Sequence, residues 1–197
     1  MKVLSDNIAL FDMDGTLCDH DKALKRDMEK LKSPKEVLPK NLMDDANPKH
    51  LKERADMIRK QTGWWENLEP FKLGFDILKI TKELNFQTYI LTKGPSSKPT
   101  AWAEKVKWIR KHVPSAKVTI TEDKSQVYGK ILVDDYPEYI IGWLKNRPRG
   151  LVIMPAHPYN KDFTHPNIIR YDGKNKKQVI EAIKKVKTRG SRKPLSI

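Results

Sequence analysis

The strongest constraint on the fold of this chain is a rhythm of short, continuous apolar runs separated by stretches with helical spacing. The runs lie at 7–12 (NIALFD), 87–92 (QTYILT), 117–121 (KVTIT), 130–134 (KILVD) and 150–154 (GLVIM), with a weaker one at 167–170. Short runs that do not alternate polar with apolar read as strands covered on both faces, as a parallel sheet requires. Helical spacing fills most of the gaps. Residues 71–84 put Phe75 and Leu78 on one face, 100–112 carry Trp102, Val106 and Ile109, and 138–145 and 175–187 complete the set. Trp102, Trp108 and Trp143 are read as core. Strand–helix alternation of this kind predicts an α/β fold, a doubly wound parallel sheet whose ligands bind at the carboxyl ends of the strands.

One interval breaks the rhythm. Residues 18–69 contain no convincing strand, and 21–31 and 46–61 have helical spacing between loops marked by Pro34, Pro39 and Pro48. The expected organisation is an α/β core made of 1–17 and 70–188, a small helical insert at 18–69 over the end of the first strand, and a basic tail at 189–197.

Three strand ends carry chemistry. Phe11-Asp12-Met13-Asp14-Gly15-Thr16 closes the first run, and at ordinary residue usage D-x-D-G-T arises by chance in about one chain per thousand of this length. Two carboxylates two residues apart after a strand raise one pKa or recruit a cation, and Gly15 permits the tight turn. Ile131-Leu132-Val133-Asp134-Asp135 ends in paired acids that need a cation or hydrogen bonds to compensate them. Joined to Asp12 and Asp14, they would make an oxygen-rich site suited to Mg²⁺. Taken alone, Asp-Asp also fits a solvated loop. Ile90-Leu91-Thr92-Lys93-Gly94 offers a hydroxyl and turn amides to a phosphate oxygen. Lys105, thirteen residues after Thr92, stands early on the following helix. His157 and His165 have no partner spacing for metal or triad chemistry and are read as loop positions, and Cys18 as a small packed side chain.

These pieces, in this order, resemble the haloacid dehalogenase (HAD) superfamily of phosphatases over roughly residues 7–154. DMDGTL with Asp19 after it, Leu68-Glu69-Pro70, E-K-x-x-W at 104–108 and Asp123-Lys124 ten residues before Asp134 are similar to the 5′(3′)-deoxyribonucleotidase branch. The resemblance implies a HAD-like Rossmannoid sheet and a Mg²⁺-dependent phosphatase of nucleoside monophosphates working through an aspartyl-phosphate. It implies Asp12 as nucleophile and Asp14 as general acid and base. Mg²⁺ would sit on Asp12, the Asp14 carbonyl and Asp135, with Asp134 in support. Thr92, the Lys93 amide and Lys105 would hold the phosphoryl oxygens. The insert becomes a cap, with His20, Trp64, Trp65 and Lys124 as candidates for the base pocket. His20 departs from the family, which commonly carries an aromatic such as Phe there. Hinge packing is the other reading of Trp64-Trp65, and phosphate binding or a surface place the other readings of Lys124.

Charge bears on the partner. The 39 Lys and Arg against 25 Asp and Glu give +14. Residues 161–197 alone hold 11 basic and 3 acidic side chains, whereas 18–69 hold 12 and 11. A basic C-terminal segment keeps open a polynucleotide-end phosphatase, or a nonenzymatic nucleic-acid-binding protein on the same scaffold. The near-neutral insert argues against a strand-gripping cap, and the intact acidic positions argue against the loss of catalysis. One cysteine excludes an intrachain disulfide framework. No apolar run reaches the roughly 20 residues a membrane span needs, and the N-terminus lacks a secretory pattern. The expectation is a cytoplasmic monomer or homodimer with no membrane partner.

Overall fold

A computed structural model describes residues 6–44, 46–95 and 98–190. Most of the basic tail, 191–197, lies outside the described residues. Among the described residues six strands form one parallel sheet: β1 (Ile8–Phe11), β2 (Gln87–Thr92), β3 (Lys117–Ile120), β4 (Ile131–Val133), β5 (Leu151–Pro155) and β6 (Ile168–Tyr171). Their spatial order is β3-β2-β1-β4-β5-β6. The chain therefore starts in the middle, builds outward through β2 and β3, then crosses to the other side of β1 for β4. That reversal opens a crevice at the carboxyl ends of the central strands. The weaker run at 167–170 becomes the edge strand β6.

Register decides which side chains meet there. Phe11 lies beside Ile90 on one flank and Val133 on the other. The residues after these strands, Asp12 and Asp134, with Thr92 at the end of β2, therefore come to one end of the sheet. The Asp12 amide donates to the Val133 carbonyl at 2.8 Å and carries the pairing one residue past β1.

The two faces are covered differently. Ala9, Phe11, Ile90, Ile131, Val133 and Ile153 point to the larger core, with Ile77 of α3 (Lys72–Glu83), Trp108 of α4 (Pro99–His112) and Ile183 of α6 (Lys176–Thr188). Leu10, Leu91, Leu132 and Val152 face a smaller core under α5 (Pro137–Asn146), where Trp143 is fully buried. Trp102 departs from the expected core placement: it is 36% exposed, lies over Gly94 and donates to the Pro95 carbonyl.

Segment 18–69 holds two helices, α1 (His20–Leu31) and α2 (Lys49–Arg59). Asp19 caps α1 by accepting from the Lys22 amide, and the buried stripe Ala23, Leu24 and Met28 turns toward the body of the protein. The chain leaves and re-enters at adjacent positions. The Asp19 amide donates to Glu69 and the Phe71 amide to Leu17. Gly74 of α3 lies against the Thr16 carbonyl, where a Cβ would collide with backbone. No helix among the described residues is long and apolar enough to cross a membrane.

Candidate active site

Asp12, Asp134 and Asp135 are all buried, and each offers an oxygen within 4.8 Å of the others. Lys124, on the short 3₁₀ turn before β4, reaches in from the side. Its Nζ lies 2.8 Å from Asp12 Oδ1 and 2.8 Å from Asp134 Oδ2, with the Tyr139 ring 4.5 Å away. The base-pocket candidate Lys124 thus has its ammonium held at the sheet end by two carboxylates and an aromatic face, while it also lines the cavity over the site. Burial alone would lower the Lys124 pKa, but Asp12 and Asp134 outweigh it and hold the pKa well above the ordinary lysine value. Burial pushes Asp12 up to about 6, with Lys124 pulling against it. Burial and the Asp12 charge push Asp135 up to about 6, and burial also raises Asp134.

Asp135 takes its hydrogen bonds from neutral groups. Thr16 Oγ1 donates to Oδ1 at 2.7 Å and Tyr159 Oη to Oδ2 at 2.5 Å. Three buried carboxylates thus lie together, and Lys124 pairs with two of them. That all-oxygen set, with negative charge in excess, fits a small hard divalent cation such as Mg²⁺.

The phosphate-side candidates form a second group. Lys105 of α4 is 1% exposed. Its Nζ meets Asp14 Oδ2 at 2.5 Å, the Lys93 carbonyl at 2.8 Å and Thr92 Oγ1 at 3.2 Å. The Trp65 ring lies 4.5 Å from the same ammonium. The Lys93 side chain is exposed, so only its backbone belongs to this group. Cys18 is buried, its thiol 3.6 Å from Asp14 Oδ1, and burial pushes its pKa up.

Above both groups opens a cavity of about 970 Å³, lined among others by Asp14, His20, Arg59, Trp65, Lys98 and Tyr159. His20 stacks on Trp65 with centroids 5.6 Å apart, and Trp64 meets both rings edge-on. Trp64 is not part of the cavity wall, because its indole is turned away to donate to Asp27. Trp65 is anchored by its indole on the Arg59 carbonyl. Its backbone amide and that of Gly63 both donate to the buried Glu104.

Sequence reasoning missed His157, Tyr159 and Asn160. Tyr159 reaches Asp135, and His157 Nε2 lies 2.6 Å from the Gly15 carbonyl. Asn160 donates to the backbone carbonyls of Asp135 and Pro155. The available signal was position: P-A-H-P-Y-N follows the apolar run 150–154, another carboxyl strand end beside the acidic ones.

With this geometry in view, similarity to known proteins is informative. The model of the family described as "5' nucleotidase, deoxy (Pyrimidine), cytosolic type C protein" matches residues 6–186. The chain belongs to this family. It is a HAD-type phosphatase of the nucleotidase kind. A Bordetella bronchiseptica protein named "Putative 5'(3')-deoxyribonucleotidase" is 28% identical over 167 residues, covering 80% of this chain and 87% of that protein. Among solved structures, a HAD family hydrolase from Deinococcus radiodurans, with bound phosphate and sodium, aligns with a TM-score of 0.53 at 8% identity, covering 82% of this chain and 84% of its own. YfnB of Bacillus subtilis, a HAD-family structure bound to magnesium, aligns at 0.52 and 14% identity, covering 84% and 92%. At such identities these structures speak for the shared fold alone.

Proposed function

We propose that this nucleotidase-family protein hydrolyses nucleoside monophosphates, with 5′(3′)-deoxyribonucleotides as the substrate class, through a phosphoryl group carried on Asp12. The observation that carries the reading is the meeting, at one sheet end, of the acidic triplet with the Thr92–Lys105 group. One charge set suits a cation and the other a phosphate. Family membership and the Bordetella relatives supply the substrate class.

Lys124 holds Asp12 Oδ1, which orients the carboxylate and leaves Oδ2 to attack phosphorus. The P–O bond to the nucleoside breaks as the Asp12–P bond forms. Thr92 Oγ1, the turn amide of Lys93 and the Lys105 ammonium bind the phosphoryl oxygens and balance their charge. Asp14 is paired with Lys105, and a bound phosphate dianion competes for that ammonium. Asp14 then takes up a proton and passes it to the departing nucleoside oxygen. It later accepts one from the water that cleaves the acyl phosphate. Asp12, Asp135 and the Asp14 carbonyl, supported by Asp134, would hold Mg²⁺. Bound there, the cation supplies charge neutralisation between a carboxylate nucleophile and a phosphate dianion. Segment 18–69 would act as a cap over the cavity, with His20 and Trp65 nearest the leaving nucleoside.

Phosphate release with Mg²⁺ across 5′ and 3′ ribo- and deoxyribonucleotides, sugar phosphates and a 3′-phosphorylated oligonucleotide tests this reading. Preference for deoxynucleoside monophosphates, abolished in Asp12→Asn, is the expected result. Turnover retained in Asp12→Asn would remove the nucleophile assignment, and preference for the oligonucleotide would remove the substrate class.

A further inference from the structure

Asp134 and Asp135 are neighbours in sequence and opposites in surroundings. Asp134 is tied to a charge: Oδ2 pairs with the Lys124 ammonium and Oδ1 accepts the Tyr136 amide at 3.0 Å. Asp135 is gripped by hydroxyls alone, Thr16 on one oxygen and Tyr159 on the other. Hydroxyl donors fix the plane of a carboxylate without supplying a positive charge to compete with a cation.

Tyr159 is itself held. Its ring stacks on His157 at 4.9 Å and 13°, and the His157 ring stacks in turn on Phe71 at 4.9 Å and 22°. His157 Nε2–H donates to the Gly15 carbonyl. Gly15 has φ +73 and packs so tightly on Asp135 that a Cβ would lie 2.6 Å from Oδ2. Asn160 closes the arrangement by donating to the Asp135 carbonyl. The loop after β5 thus secures the backbone of Asp135, one of its carboxylate oxygens and the turn on which it rests.

We propose that Tyr159 is a positioning residue, locked by the Phe71–His157 stack, that sets the orientation in which Asp135 receives the divalent cation. The proposal rests on the reading of Asp135 as a metal-holding group. Groups that orient metal-binding carboxylates typically change affinity 10–100-fold when removed.

The experiment is calorimetric titration of Mg²⁺ into the metal-stripped full-length protein, comparing wild type with Tyr159→Phe, which keeps the ring and loses only the hydroxyl. Thr16→Val, which removes the other donor, is the second variant, and circular dichroism checks that each variant is folded. The expected result is about tenfold weaker Mg²⁺ binding in each. The Mg²⁺ concentration that half-saturates turnover should rise in Tyr159→Phe by the same factor, a shift that a merely structural role of the hydroxyl on Asp135 would not produce. Mg²⁺ affinity in Tyr159→Phe equal to wild type would overturn the proposal alone. A wild-type protein that binds no Mg²⁺ would overturn the metal reading and this proposal with it.

Discussion

Two aspartates in the site keep protons that an ordinary carboxyl would release. Asp12 and Asp135 stand at about 6 against 3.8 for a free side chain, chiefly through burial. A raised folded-state value favours the protonated form in the fold. The associated stability is fully present below 3.8 and is lost as pH rises through about 6. A cation that binds the ionised forms offsets that loss. Added Mg²⁺ should therefore raise the melting temperature clearly at pH 7.5 and much less at pH 5. Equal shifts at both values would place Mg²⁺ binding elsewhere. The acids themselves were legible in the sequence, because each follows an apolar run and acids at a strand end demand compensation. Lys124 was not placeable by such reasoning. One basic residue among 39 Lys and Arg carries no local signature, and its partners come from two other strand ends.

Helix α4 shows how an element can be recognised while its faces are misassigned. Hydropathy points to Trp102, Val106 and Ile109, but the buried positions are Ala101, Glu104, Lys105, Trp108 and Ile109. Two charged residues occupy inward positions, so the apolar stripe is partly erased where function is densest. Glu104 accepts the amides of Gly63 at 2.9 Å and Trp65 at 3.2 Å. Glu104→Ala leaves both donors without their acceptor and should cost about 2–3 kcal/mol, read from urea unfolding, with Glu104→Gln costing less. An unchanged midpoint would mean that these amides find other acceptors at no cost. Gly74 in α3 makes a complementary test. Its Cβ would strike the Thr16 backbone, so Gly74→Ala should lose about 1–3 kcal/mol and lower turnover by shifting the Asp12–Thr16 turn. A fully active, equally stable variant would show that the helix moves away freely.

At the scale of the molecule, part of the basic surplus lies away from the chemistry. The carboxylates gather at the carboxyl ends of the strands. Helix α6 leaves β6 from that end, so its basic last turn, Lys185 and Lys187, lies at the far end. A substrate bearing one phosphate feels little of that distant surplus. Hydrolysis of a nucleoside monophosphate should fall by less than about threefold between roughly 50 and 200 mM salt, whereas contacts to many phosphates would cost orders of magnitude. A steep loss on the mononucleotide would bring the basic end into substrate binding. The α/β class and strand positions were readable from periodicity. The return of the chain to β4 beside β1 was not, because strand order is set by which faces and edges pair in three dimensions.

The excursion between Asp19 and Glu69 begins and ends on neighbouring backbone hydrogen bonds, Asp19 to Glu69 and Phe71 to Leu17. Mechanically, two hydrogen bonds this close together pin both arms of the excursion at one place beside the sheet end. Glu104, accepting the Gly63 and Trp65 amides six and four residues before Glu69, ties the returning arm of the same excursion to α4, so strain on that arm is carried to the helix that bears Lys105.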